Sequence, residues 1–116
     1  MNALGISCTV EEGVLVVGIE LESASYLLFQ KGVEEATGKD ELSYFEYGDQ
    51  SLGGYGLVKR CTLSDGELSV VLGKPLGGDS ELRVVLGPET RGLSCLAEQL
   101  PKVFVNEAGV FECVSA

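Results

Sequence analysis

Two dipeptides, Glu12-Gly13 and Asp65-Gly66, each stand between runs in which apolar and polar residues alternate, and this pattern commits the chain to antiparallel hairpins. A two-residue loop sets the register, and a slip of one residue would turn every side chain to the opposite face. Folding about Glu12-Gly13 places Val10 opposite Leu15, Cys8 opposite Val17 and Ile6 opposite Ile19, all on one face. Ser7, Thr9 and Glu20 take the other. Asp65-Gly66 suits a type I′ turn, which needs positive φ at both central residues. Pairing outward from it sets Leu63 against Leu68, Cys61 against Val70 and Lys59 against Leu72, with Thr62-Ser69 and Arg60-Val71 behind them. One face is apolar and the other mostly polar, as in a half-solvated antiparallel pair.

The remaining segments extend the sheet. Glu81 to Leu86 alternates, with Leu82, Val84 and Leu86 inward, after a loop over Lys74-Pro75-Leu76-Gly77-Gly78-Asp79. Leu42 to Tyr47 reads as a strand on its aromatics, and Val110 to Val114 as a terminal one. The apolar run from Tyr26, within residues 26–36, fits strand or helix equally, and Thr37-Gly38-Lys39-Asp40 breaks whatever precedes it. Helical spacing is clear only after Gly87-Pro88. There Leu93, Leu96, Ala97 and Leu100 share a face, Glu89 lies near the start, and Pro101 should end or kink the helix around Leu100. The expected fold is α+β: a mostly antiparallel sheet of hairpins and meander with one C-terminal helix packed on a face. With 116 residues and no linker or repeat, one domain spanning residues 1–116 is expected.

Composition narrows the chemistry. There is no histidine, so neither a Ser-His-Asp nor a Cys-His nucleophile can be assembled, and zinc and haem lose their commonest ligand. Cys8, Cys61, Cys95 and Cys113 form no C-x-x-C pair. Cys8 and Cys61 fall on apolar faces and should pack as small hydrophobes, while Cys95 lies beside the helix stripe and is the expected reactive thiol. The glycine-rich stretch Gly48 to Gly56 lacks the Gly-Lys-Ser/Thr ending of a phosphate cradle and reads as a tight loop or bulged strand entry. Glu11-Glu12, Glu34-Glu35 and Asp40-Glu41 read as solvated faces rather than acid/base pairs. No cofactor, no metal and no catalysis are expected. Nothing in the start of the chain directs export, and the longest apolar stretch, Val14 to Ile19, is far too short to span a bilayer, so a cytoplasmic location with reduced thiols is expected.

Charge points to a partner. The chain carries −10, and up to Val58 it holds ten acids against two bases. A surface this acidic repels phosphate backbones and anionic lipid, so neither nucleic acid nor membrane is an expected partner and a basic protein is. Tyr44, Glu46, Tyr47, Asp49, Gln50 and Tyr55 interleave aromatics and hydrogen-bonding groups with carboxylates, the composition of an interface anchor, and are the candidate partner-binding residues.

Tyr26-Leu27-Leu28-Phe29-Gln30-Lys31, then Tyr44-Phe45-Glu46 running into Asp49-Gln50, then Gly54-Tyr55-Gly56 and a strand reaching Asp65-Gly66-Glu67-Leu68, resembles the immunity protein ten family of bacterial polymorphic-toxin systems. Gly78-Asp79, Glu81 to Val84 and the leucine-bearing helix match in placement, so the resemblance runs from about Tyr26 to Phe104. Ser43 stands where a tyrosine is usual, Gly53 where a serine is, Leu57 where a second glycine is, and Lys31 replaces an arginine. The resemblance implies a non-enzymatic α+β protein of the cytoplasm that binds and neutralises a cognate toxin domain, such as a basic nuclease. The alternative is a small non-catalytic protein-interaction or structural β-rich domain, with self-association left open by the sequence.

Overall fold

The computed structural model describes residues 1–32 and 42–114. Among the described residues nine strands form two sheets. The first is a five-stranded meander in the order β1 (Ala3–Glu11), β2 (Val14–Leu21), β3 (Tyr26–Gly32), β4 (Tyr44–Tyr47), β5 (Asp49–Tyr55). The second contains β6 (Val58–Ser64), β7 (Glu67–Leu76) and β8 (Asp79–Val85) as an antiparallel set, and β9 (Phe111–Val114) lies parallel to β6 on its far side. The one helix among the described residues, α1 (Leu93–Val103), leads into β9. The expected α+β architecture, mostly antiparallel with a single helix, is the one observed, and the segment from Tyr26 to Gly32 is strand. The stretches around Glu34-Glu35 and Thr37 to Glu41 lie outside the described residues.

The first hairpin has the expected register, with Val10 opposite Leu15, Cys8 opposite Val17 and Ile6 opposite Ile19. Its turn is the type I′ one, since Glu12 (φ 51) and Gly13 (φ 77) both take left-handed values. At the other turn only Gly66 does (φ 83), so Asp65-Gly66 is not the type I′ loop expected. The Gly66 carbonyl accepts the Leu86 N–H at 2.9 Å, which ties the turn to the residue just past β8. Burial on β1 fades along the strand. Along this edge strand Ile6 is buried, Cys8 half-buried and Val10 60% exposed.

Further out, the second hairpin departs from the expected pairing. A bulge between Val58 and Arg60 sets Val58, not Lys59, opposite Leu72. Unbroken alternation would carry the Lys59 ammonium into the core, at a prohibitive desolvation cost. The bulge instead buries Val58 at 2% exposure and turns Lys59 outward, its stem running over Gly73, where a Cβ would meet the Lys59 Cε at 2.6 Å. Lys74-Pro75-Leu76 also belongs to β7 rather than to a loop, and the reversal is confined to Gly77 (φ 60) and Gly78 (φ 91).

Both sheets and the helix share one apolar cluster, from Val17, Ile19, Leu27, Phe29 and Phe45 of the first sheet to Cys61, Leu68, Val70, Leu82 and Val84 of the second. The helix contributes Leu96, Leu100 and Val103, while Leu93 is half-buried and Ala97 exposed. Pro101 does not end it. The carbonyl that proline leaves without a donor belongs to exposed Ala97 and can bond water, while Val103 and Phe104 are held by burial. Glu89 precedes the helix and adds no charge to its first turn. Instead Gly92 (φ 80) opens it, pressed so closely on β1 that a Cβ would lie 2.1 Å from the Ile6 carbonyl oxygen. All four cysteines are free: Cys61 buried, Cys8 and Cys95 half-buried, and Cys113, not Cys95, exposed.

Candidate functional site

Alternation divides the five-stranded sheet into two faces. Val17, Phe29 and Phe45 form a cross-strand row toward the core, and Gly18, Leu28, Glu46 and Gly53 form the adjacent row on the outer face. Two outer-face positions in that row carry no side chain. Over Gly18 lies a groove of about 410 Å³, lined also by Gly5, Ser7, Glu20, Tyr26, Leu28 and Arg91. The Arg91 guanidinium lies beside Gly5, 3.8 Å from the Glu20 carboxylate, in an exposed pair of little energetic weight.

Beside the groove stands the most developed polar cluster of this face. Glu46 follows Tyr44 by two residues, so both point outward, and Tyr26 lies diagonally across β3 from it. The Tyr44 hydroxyl donates to Glu46 Oε1 at 2.7 Å and the Tyr26 hydroxyl donates to Oε2. Glu46 is left only 7% exposed, and among the described residues no lysine or arginine lies within ion-pair distance of it. The hydrogen bond to Glu46 is the main reason that the Tyr44 phenol is pushed up to about 12, with burial adding to it, and it raises Tyr26 in the same direction. Tyr55, opposite Tyr44 on β5, packs its ring edge-on against Tyr44 with centroids 5.3 Å apart and is itself 61% exposed.

Of the candidates named from sequence, Tyr44, Glu46 and Tyr55 therefore come together on one face. Tyr47 points the other way and packs against the core. Asp49 is exposed and turned into its own loop, where Oδ1 accepts both the Ser51 N–H at 2.8 Å and the Ser51 hydroxyl at 2.9 Å. Those bonds hold its carboxyl below the ordinary carboxylate range. Gln50 is placed by its backbone alone, in β5. Tyr26 was not among the candidates. Its alternation with Leu28 and Gln30 was readable, but the pairing of β3 with β4 across the intervening segment was not.

Among the described residues no three histidine, cysteine or acidic side chains cluster as a metal site would require, and no helix is long and apolar enough to cross a membrane. The fold and this face thus define a two-sheet α+β protein whose best-organised feature is an open aromatic and carboxylate surface. The chain belongs to the Immunity protein 10 family, whose family model matches residues 1–93. The match takes in all eight strands from β1 to β8, starting before the region of motif resemblance, and leaves nearly all of α1 and β9 beyond it. No curated protein and no solved structure is detectably similar to this chain.

Proposed function

We propose that this immunity protein neutralises its cognate toxin by binding it through the outer face of the five-stranded sheet, and that the toxin surface it meets is basic. The observation that carries the reading is the Tyr44–Tyr55 ring pair beside the Glu46 carboxylate on that face. Aromatic side chains supply contact area at low entropic cost, and desolvated charges supply selectivity. The half of the chain that builds this face carries ten acids against two bases, so a cationic partner is drawn in at long range and in a salt-dependent way. A nuclease, which must hold phosphate, presents such a surface. Binding within the producing cell, before the toxin is exported, accords with a cytoplasmic location. The single core shared by both sheets supports reading residues 1–116 as one domain.

The test is co-expression with the toxin domain encoded beside the gene. The wild type should co-purify with it, protect the cell, and bind more weakly as salt is added. Tyr55→Ala, at a position already 61% exposed, should leave folding intact and weaken binding by roughly tenfold or more. A folded variant that binds and protects as well as the parent would move the interface to another surface.

A further inference from the structure

Glu46 presents a problem that no cation among the described residues solves. A carboxylate 7% exposed ordinarily has a cation beside it, because two neutral donors replace only part of the lost hydration. Its two oxygens offer about four acceptor positions, and the tyrosine hydroxyls fill two. At Gly53, opposite Glu46 on β5, the Tyr44 hydroxyl takes the space a side chain would need, whereas on the β3 side Leu28 lies opposite Glu46 and Gly18, without a side chain, lies beyond Leu28. Tyr26 belongs both to this cluster and to the wall of the groove, and Leu28, which also lines the groove, pairs with Glu46, so the groove borders the carboxylate.

We propose that Glu46, framed by Tyr26, Tyr44 and Tyr55, is the receptor for one arginine side chain of the toxin, whose aliphatic stem lies along Leu28 and Gly18. The proposal rests on the reading of this face as the toxin-binding surface. Arginine fits better than lysine for three reasons. Its planar fork can reach the free acceptor positions of both oxygens without displacing the tyrosine donors. Its flat guanidinium stacks on tyrosine rings, two of which stand here edge to face. It is also more weakly hydrated than an ammonium and so gives up less on leaving water. Arginine is thereby selected by shape and by stacking as well as by charge.

A purely structural clip joining β3 to β4 would look similar in the free protein, and the experiment separates the two. Affinities of the purified co-encoded toxin domain are measured for wild type, Glu46→Gln and Tyr55→Ala, with thermal stability followed in parallel. Each surface arginine of the toxin is replaced in turn by lysine and by glutamine. Glu46→Gln should weaken binding by roughly 30-fold or more. One toxin arginine should show a strong coupling to Glu46 in a double-mutant cycle, and its lysine replacement should fail to restore affinity. A folded Glu46→Gln protein that binds as tightly as wild type, the absence of any arginine coupled to it, or full function with lysine overturns the subsite while leaving the toxin-binding face standing. A wild-type protein that does not bind the toxin domain overturns the reading beneath it as well. If Glu46→Gln does not fold, the same cycle run with exposed Tyr55→Ala decides, since an arginine seated here must couple to that ring.

Discussion

The hydroxyl of Tyr44 fills the space that a side chain at Gly53 would need: a Cβ there would sit 2.6 Å from the Tyr44 oxygen and 3.0 Å from the Phe45 carbonyl. The absence of a side chain at Gly53 is thus what lets Tyr44 lean across to Glu46. Gly53→Ala should cost about 1–3 kcal/mol, the usual range for forcing extra volume into a packed site. It should also pull the phenol away from its acceptor. Chemical denaturation measures the first effect and the ultraviolet titration of tyrosine the second. An unchanged midpoint together with an unchanged titration would show that the sheet has room to spare there.

The same contact predicts a pH dependence. The Tyr44 phenol is raised from 10.0 to about 12, chiefly by the hydrogen bond it donates to Glu46. Above pH 10 the unfolded chain releases this proton while the folded one keeps it, so stability from this contact is complete below pH 10 and is lost as pH climbs through about 12. Glu46→Gln should bring the Tyr44 titration down toward the ordinary value and flatten the alkaline decline in stability over that window. A phenol that titrates near 10 in the wild type would mean that the bond is not held in solution.

How far this face was legible can be judged from its own residues. Alternation and turn chemistry are local, and they place Cys8 against Val17 and Cys61 against Val70 without any tertiary information. Lys59 escaped because a bulge is a response to burial: only the second layer beneath β6 makes an inward lysine intolerable. The division of the strands into two sheets was likewise invisible, since every hairpin was compatible with one. For the site, Tyr44, Glu46 and Tyr55 were identifiable because they are close in sequence and share a strand period. Tyr26 and Gly18 enter it only through the register of β2, β3 and β4, which side-chain pattern alone does not specify.

Four phenylalanines make a path through the molecule. Phe45 lies 5.0 Å from Phe29, Phe29 6.0 Å from Phe104, and Phe104 6.4 Å from Phe111, joining β4, β3, the end of the helix and β9. Phe104 is the link between the first sheet and the last strand. Phe104→Ala should cost about 3–5 kcal/mol, and β9, only four residues long, should open first. Amide hydrogen exchange resolved by residue checks this. Uniform acceleration across both sheets, with β9 no faster than β7, would argue against the linking role.

Helix entry depends on a single residue without a side chain. Gly92 takes φ 80 and presses against the Ile6 carbonyl oxygen, while the flanking Arg91 carbonyl accepts the Ile6 N–H at 2.7 Å. Gly92→Ala combines a left-handed conformation, costing roughly 1–2 kcal/mol, with a backbone clash that cannot be relieved without breaking this contact. The expected result is a loss of more than about 2 kcal/mol and a detached helix start. A denaturation midpoint within error of wild type would show that the helix can enter by another path.

Thiol chemistry offers the last test, because the four cysteines occupy distinct environments. Cys113 is exposed on β9, Cys8 and Cys95 are half-buried where the helix meets β1, and Cys61 is fully buried. Burial pushes the Cys61 thiol up to about 12, and burial together with the neighbouring Cys95 raises Cys8 to a similar value. Since the thiolate is the reactive form, both should resist a disulfide reagent at neutral pH. Cys113 should react first and alone account for the fast phase, which Cys113→Ala removes. Cys61 should be labelled only as fast as the core opens, so its rate should rise with denaturant in step with unfolding. All four thiols should titrate once the chain is unfolded. Labelling of Cys61 in native buffer as fast as that of Cys113 would contradict its burial in the core that the two sheets share.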